Sequence, residues 1–496
     1  MAKVNVFRDY SATFWTANVM ELFERAAYYG MNSVLAVYLT LSVADGGLGF
    51  STQSVGFLQG IVYAFTYVFP ILGGALADRY GYRRMLMFAF SMLSVGYFAA
   101  GNMSTYALVF LALLLMATGS GLFKPIITGT VARTTDERTS GFGFGIYYWM
   151  INLGAFLAPL VVSWLKGFSW KYVFMASAGY CAAMLLPTIF IYREPARPES
   201  TKRLKEVLSG AAEVLGDARF MLMVVVYSVF WILYFQTFGS VLWYLRDVID
   251  KEPVSAAVTS LLNGIGIPVT FRFDVEHVTV INAGTIVLLQ VFVSKLVATR
   301  KALPTMVTGM LIGAMGFVLL AVSHNPWIFI AGIAVFSLGE MTAHPKYYSF
   351  IGLVAPADRK AVYMGYAFLY GVFGSLLGSN LGAFLYARMI EPVLGTADVG
   401  GRTMLFWLLF AVLDICAVLA MVLFSRRFGE DTPESRAGAA RAMRIVYLLI
   451  ALLGAVFLAF GLTAETIQVR TIVQALIFMG LGVGGIVVTW RGTMRT

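Results

Sequence analysis

Glu21, Glu24 and Arg25 stand inside an apolar run, in the order Glu21-Leu22-Phe23-Glu24-Arg25-Ala26-Ala27-Tyr28-Tyr29-Gly30-Met31-Asn32. Spacings of three and four place Glu21, Glu24, Arg25, Tyr28 and Asn32 along one side of a helix, with Tyr29 beside them. Two carboxylates flanking one guanidinium leave a surplus negative charge that a proton neutralises. The stripe reads as a proton-coupling site or as a static salt-bridge network holding helices together. Isolated charges also interrupt apolar runs at Lys124, Glu340 and Asp414. His344 follows Glu340 by four residues, so both face one side of a helix. It reads as a pH-sensitive group beside an acid, or as a hydrogen-bonded helix-end histidine before Pro345. Asp414 reads as a structural polar contact, to the last helices of the chain, and Lys295 as a lysine snorkelling to a membrane surface.

Composition sets the elements that hold these charges. Of 496 residues, 59% are apolar or aromatic and 12% are charged, against about 25% charged in an ordinary globular chain. The mean hydropathy is +0.79. A bilayer core needs roughly 20 apolar residues per helical span, and fourteen stretches qualify, from 13–40 through 471–490. Only helices satisfy their own backbone in lipid, so the fold class is an all-α membrane protein. Ionisable residues inside such spans cannot face lipid and must line the bundle interior.

The same composition excludes other classes. Cys181 and Cys416 both lie in apolar runs and the chain has 3 histidines, which argues against a disulfide framework or a multi-histidine metal centre. No Ser-His-Asp order, Gly-x-x-x-x-Gly-Lys loop or metal-ligand spacing occurs, so neither an enzyme, a metal nor a cofactor is expected. The net charge of +10 is orientation rather than nucleic-acid binding. Lys and Arg concentrate in alternate loops on the side of the N-terminus, which places both termini in the cytoplasm of a cell (inner) membrane. The first eleven residues lack the apolar run and cleavage site of a signal peptide.

A charged, proline-broken stretch from Arg193 to Glu206 divides the first six spans from the next six, and Arg426 to Arg444 sets off a final pair. The expected organisation is a six-helix bundle over 1–192, a cytoplasmic linker over 193–218, a second six-helix bundle over 219–426, and an extra transmembrane hairpin over 427–496. The hairpin carries no intramembrane charge and reads as peripheral packing, a lipid or partner contact, or a stabilising addition.

The loop Gly73-Gly74-Ala75-Leu76-Ala77-Asp78-Arg79-Tyr80-Gly81-Tyr82-Arg83-Arg84 resembles the signature loop of the major facilitator superfamily. Its glycines permit a tight turn, and Asp78 is free to pair with a basic group or a helix end. The plan of six plus six helices resembles the same superfamily, whose substrate site lies at midplane between the halves.

A narrower resemblance follows from motifs in both halves. Glu21-x-x-Glu24-Arg25 with Tyr28-Tyr29-Gly30, Phe123-Lys124-Pro125, Tyr147-Tyr148-x-x-Ile151-Asn152-x-Gly154, and Gly339-Glu340 with Pro345, Ala355-Pro356 and Met364-Gly365 are similar to motifs of the proton-dependent oligopeptide transporters. The resemblance implies proton coupling at Glu21, Glu24 and Arg25. It implies that Arg25, Tyr29 and Lys124 hold a peptide carboxylate and that Tyr67 and Trp231 contact the peptide. Asn152, Asn282 and Glu340 would then meet its amino end. A zwitterion needs a cation at one end and an acid at the other, and Lys124 and Glu340 supply these from opposite halves. Two positions depart from the family: Asn32 where bacterial relatives often have arginine, and Phe235 in Phe230-Trp231-Ile232-Leu233-Tyr234-Phe235-Gln236 where relatives have an acid that pairs with the lysine.

The expected function is therefore proton-coupled import of di- or tripeptides by a monomeric carrier surrounded by membrane lipid. The alternatives are the same fold carrying another small anionic or zwitterionic solute, and a sensor or scaffold without transport.

Overall fold

In the computed structural model, residues 9–136, 139–195, 210, 213–356, 359–463 and 469–493 are described. The helices are α1 (Ala12–Thr40), α2 (Thr52–Tyr80), α3 (Tyr82–Asn102), α4 (Tyr106–Arg133), α5 (Ser140–Leu165), α6 (Trp170–Ala183) and α7 (Leu185–Phe190). After the linker come α8 (Ala218–Gln236), α9 (Ser240–Asp247), α10 (Glu252–Gly264), α11 (His277–Val297), α12 (Ala302–Val322), α13 (Pro326–Val354), α14 (Lys360–Tyr366), α15 (Leu369–Met389) and α16 (Val399–Phe428). The chain closes with α17 (Pro433–Thr463) and α18 (Val469–Thr493). Most of the expected linker lies outside the described residues.

Side-chain caps start several helices where the sequence offers a hydroxyl, acid or amide. Ser11 accepts from the Phe14 amide, Asp217 from Phe220, and Asn325 from Trp327 with Pro326 in the first turn; each cap satisfies a donor that the helix leaves open. Gly81 takes φ +95° between α2 and α3, a region that glycine enters freely. Beside that turn Asp78 pairs with Arg133 at 2.8 Å, and the Glu194 carboxylate accepts from the amides of Tyr82 and Arg83 at 2.6 and 3.2 Å. An anion at a helix N-terminus is favourable.

Thirteen helical segments among the described residues are long and apolar enough to cross a bilayer. The 29-residue α1 has the length as well, and its three buried charges set it apart. Fourteen spans are compatible with this count. Three spanning segments are broken: between α6 and α7, between α8 and α9, and between α14 and α15.

Helices α1–α7 pack among themselves, as do α8–α16, and the two groups meet chiefly along α2 with α15 and α5 with α11. Where α12 crosses α13, a Cβ on Gly339 would lie 2.5 Å from the Gly313 amide nitrogen. That close approach fixes the depth and rotation of the next residue, Glu340.

Polar contacts between the two groups cluster at the end of the molecule opposite the N-terminus. Lys166 binds Asp274 at 2.5 Å and Glu276 at 2.6 Å, Thr52 donates to Glu391, Trp243 donates to the Ala36 carbonyl, and Arg246 donates to Thr40. Burial works against the charge of Asp274, but Lys166 and Lys251 outweigh it and hold the carboxyl down at about 2. This end is closed.

The final hairpin packs chiefly on itself and rests on α8. Arg219 ties its base, donating to the carbonyls of Phe428 and Gly429 at 2.7 and 2.9 Å. Ile477 reaches the seam between α2 and α15, against Ala64, Val372 and Leu376, and Arg470 donates to Ser54. The hairpin thus touches both helix groups.

Candidate functional site

The charged stripe of α1 is buried: Glu21 and Glu24 are 0% exposed and Arg25 is 6% exposed. The two acids differ in their surroundings. Glu24 binds Arg25 at 2.5 Å and accepts from the Ser120 hydroxyl at 2.7 Å. Glu21 lies 3.6 Å from Arg25 and beside the Tyr147 hydroxyl, and neither of its oxygens makes a close hydrogen bond among the described residues. Arg25 therefore neutralises mainly Glu24 and leaves Glu21 as the surplus carboxylate. Ser120 was not expected at the site. Its signal was there, a hydroxyl four residues before Lys124 and so on the same side of α4.

Lys124 lies within electrostatic reach of Arg25, Glu21 and Glu24, and no ion pair to it is found among the described residues. At the position where the sequence resemblance implies an acid, the Phe235 ring stacks on Tyr63 with centroids 5.4 Å apart and planes at 23°. Asn32 accepts from the Tyr63 hydroxyl at 2.9 Å. Asn32 is thereby committed to a contact between α1 and α2.

On the opposite wall, Asn282 of α11 donates to Glu340 of α13 at 3.1 Å and to Ser337 at 2.8 Å. Glu340 acts electrostatically on Tyr29 of α1, and Lys124 acts on His344. The cation and the acid, from different helix groups, thus each act on a residue of the other group. Aromatic rings from both groups meet nearby. Tyr67 meets Trp231 edge-on at 6.5 Å and Tyr370 at 5.8 Å, while Arg25 sits 6.0 Å from the Tyr29 ring centroid. The Trp231 indole N–H is buried beside the Tyr227 hydroxyl. Asn152 donates to the carbonyl of Tyr148 on its own helix at 2.8 Å.

His344 is not a helix-end residue, because α13 continues through Pro345 to Val354. Its two ring nitrogens meet Tyr227 at 3.2 Å and Tyr370 at 3.4 Å. These tyrosines escaped notice in the sequence, where they look like any other aromatic in an apolar run. Asp414 corrects a second expectation. It is fully buried, and neither oxygen meets a hydrogen-bond partner among the described residues.

A sequence profile of the Major Facilitator Superfamily matches residues 23–379. The peptide transporter YePEPT of Yersinia enterocolitica is 30% identical over 174 residues, 34% of this chain and 34% of that protein. A di-/tripeptide transporter of Lactococcus lactis is 32% identical over 202 residues, 38% of this chain and 41% of that protein. The chain is thus matched to little more than a third of the length of these curated relatives. Among solved structures, peptide transporter POT in complex with sulfate superposes with a TM-score of 0.67 at 19% identity, covering 85% of this chain and 96% of that one. The nucleoside transporter NupG in a mutant form gives a TM-score of 0.66 at 15% identity, covering 83% and 99%. At these identities the likeness is one of fold.

Proposed function

This chain belongs to the major facilitator superfamily, and from that premise we propose that it is a proton-coupled symporter that imports di- or tripeptides by alternating access. The observation that supports the reading is that Lys124 and Glu340, one from each helix group, each act electrostatically on a residue of the other group, Lys124 on His344 and Glu340 on Tyr29. A peptide's carboxylate is assigned to Lys124, Arg25 and Tyr29, and its ammonium to Glu340 with Asn282 and Asn152. Tyr67 and Trp231 contact the peptide between those ends. Aromatic faces tolerate varied side chains while the charged ends fix direction. The Yersinia and Lactococcus relatives, a peptide transporter and a di-/tripeptide transporter, support the same cargo.

Coupling follows from charge balance. Glu21, Glu24, Arg25 and Lys124 contain two acids and two bases, so the empty cluster is close to neutral. Adding a peptide carboxylate creates a surplus negative charge in a dry site, and a proton on Glu21 removes it. Glu24 stays with Arg25 and Ser120. We place both termini in the cytoplasm of the inner membrane, which makes the closed end the outer face. Residues 1–192 and 219–426 would rock as two halves about α2–α15 and α5–α11 in a monomeric carrier surrounded by lipid.

One observation favours a second cargo, another small zwitterion or anion. Phe235 on Tyr63 removes an acid that relatives use to hold the lysine, which leaves Lys124 open to anions without an amine. Uptake of a labelled dipeptide into proteoliposomes under an imposed pH gradient tests the proposal. Protonophore-sensitive accumulation supports it. Accumulation only of other anions supports the second cargo, and binding without flux indicates a sensor.

A further inference from the structure

His344 is joined through both ring nitrogens to helices other than its own. Nδ1 meets the Tyr227 hydroxyl of α8 at 3.2 Å, and Nε2 meets the Tyr370 hydroxyl of α15 at 3.4 Å. Tyr370 also meets the Tyr348 hydroxyl at 3.4 Å. A neutral imidazole offers one donor and one acceptor, and a hydroxyl serves as either. With both nitrogens engaged, the ring keeps no polar atom for a ligand and must act through its neighbours. Its face lies near Trp231, with centroids 4.9 Å apart, and Trp231 lies against Tyr370 at 4.3 Å.

The same rings stand where the two helix groups meet. A Cβ on Gly371 of α15 would collide with the Tyr67 ring of α2, and one on Gly374 would lie 2.6 Å from the Cβ of Trp231. Backbone and rings therefore approach closely on this side of α15, and Tyr67 meets Tyr370 edge-on at 5.8 Å. Tyr227, Trp231 and Tyr370 are buried. Their polar atoms cannot turn to water, so a lost partner leaves a costly unpaired group. The imidazole bridge thus ties α8, α13 and α15 together beside the point where Tyr67 enters from the other group.

We propose that His344 is a positioning residue that sets side-chain specificity. By bridging Tyr227 and Tyr370 it holds Tyr370 and Trp231 at one angle to Tyr67, and so shapes the aromatic surface that a peptide's side chains meet. The proposal rests on the reading of Tyr67 and Trp231 as peptide contacts. In that reading the charged ends of the peptide belong to Lys124 and Glu340. His344 therefore acts on which side chains fit, and little on whether a zwitterion binds. Rings held by a hydrogen-bonded support discriminate between shapes better than rings free to turn.

The test has one arm without substrate and one with it. The chain has 3 histidines, so the full-length protein labelled with 15N-histidine gives few ring-nitrogen signals in magnetic resonance, and His344→Gln identifies those of residue 344. Tyr227→Phe and Tyr370→Phe keep the rings and remove the hydroxyls, and each should shift the His344 signals. Unmoved signals in either variant would overturn the bridge. Competition binding then compares alanyl-alanine with the bulkier phenylalanyl-alanine. The ratio of the two affinities should change about tenfold in His344→Leu and in Tyr370→Phe, and no further in the double variant, because both remove one interaction. His344→Gln keeps a donor and an acceptor and should restore part of the ratio. An unchanged ratio, equal losses for both dipeptides, or effects that multiply in the double variant would overturn the positioning role. A wild-type chain that binds neither dipeptide would count against the peptide reading, and the nitrogen signals would still decide the bridge.

Discussion

Phe235 lies against Tyr63 with ring centroids 5.4 Å apart, joining α8 to α2 by an apolar stack at the position where the sequence resemblance implies an acid. The acids that act on Lys124, Glu21 and Glu24, both belong to its own helix group.

Phe235→Glu should therefore restore a competitor for Lys124 and open the stack. Dipeptide affinity at neutral pH is expected to fall about tenfold, equivalent to about 1.4 kcal/mol. Competition binding measures it. Unchanged affinity would mean that Lys124 does not hold the carboxylate.

The two acids of α1 should fail in different ways. Glu21→Gln removes the surplus carboxylate, so gradient-driven uptake should be lost while counterflow exchange survives. Glu24→Gln strips Arg25 of its partner and leaves a buried cation, at a stability cost of about 3–5 kcal/mol. Thermal unfolding in detergent separates the two, and equal melting shifts would contradict this division.

That division marks a boundary of what the sequence makes legible. The α1 stripe announces itself because charges in an apolar run are costly, and Asp78, near a tight glycine turn, found its basic partner in Arg133. The all-helical membrane fold follows from the apolar stretches, and the placing of Glu340 with Asn282 from motif. The unequal roles of Glu21 and Glu24 depend on Ser120, which is 96 residues away from Glu24. The Tyr227–His344 contact spans 117 residues, and tyrosine carries no mark that distinguishes a hydrogen-bonding partner from core packing. The solitude of Asp414 is a property of the neighbouring helices, so no local pattern could have revealed it.

Glu340→Gln should discriminate between ligands. The amide cannot pair with an ammonium, so free-amine dipeptides should bind roughly thirtyfold more weakly, about 2 kcal/mol. N-acetylated peptides should lose little. Equal losses for both would reassign Glu340 to a structural role.

The closed end offers a test of conformational balance. Asp274 is held down at about 2 by Lys166 and Lys251 against the effect of burial, and Lys166 is raised by Glu276 and Asp274 although burial opposes it. The Asp274 contribution is present above its ordinary value near 4 and is lost as pH falls toward about 2. The Lys166 contribution is present below its ordinary value near 10.4 and is lost only at higher pH. The latch should thus be constant between about pH 5 and 9. Lys166→Ala should open it by on the order of 1 kcal/mol, since the pair is partly exposed. Spin-label distances across that end report the shift, and a latch that opens between pH 5 and 9 would contradict the assignment.

The central claim is that a peptide carboxylate enters the Lys124–Glu21 cluster together with a proton. Calorimetry of dipeptide binding in two buffers of different ionisation enthalpy counts protons directly. The account predicts uptake of about one proton per peptide bound, reduced toward zero in Glu21→Gln and for a dipeptide whose carboxylate is amidated. Binding of the free dipeptide with no proton uptake would contradict it.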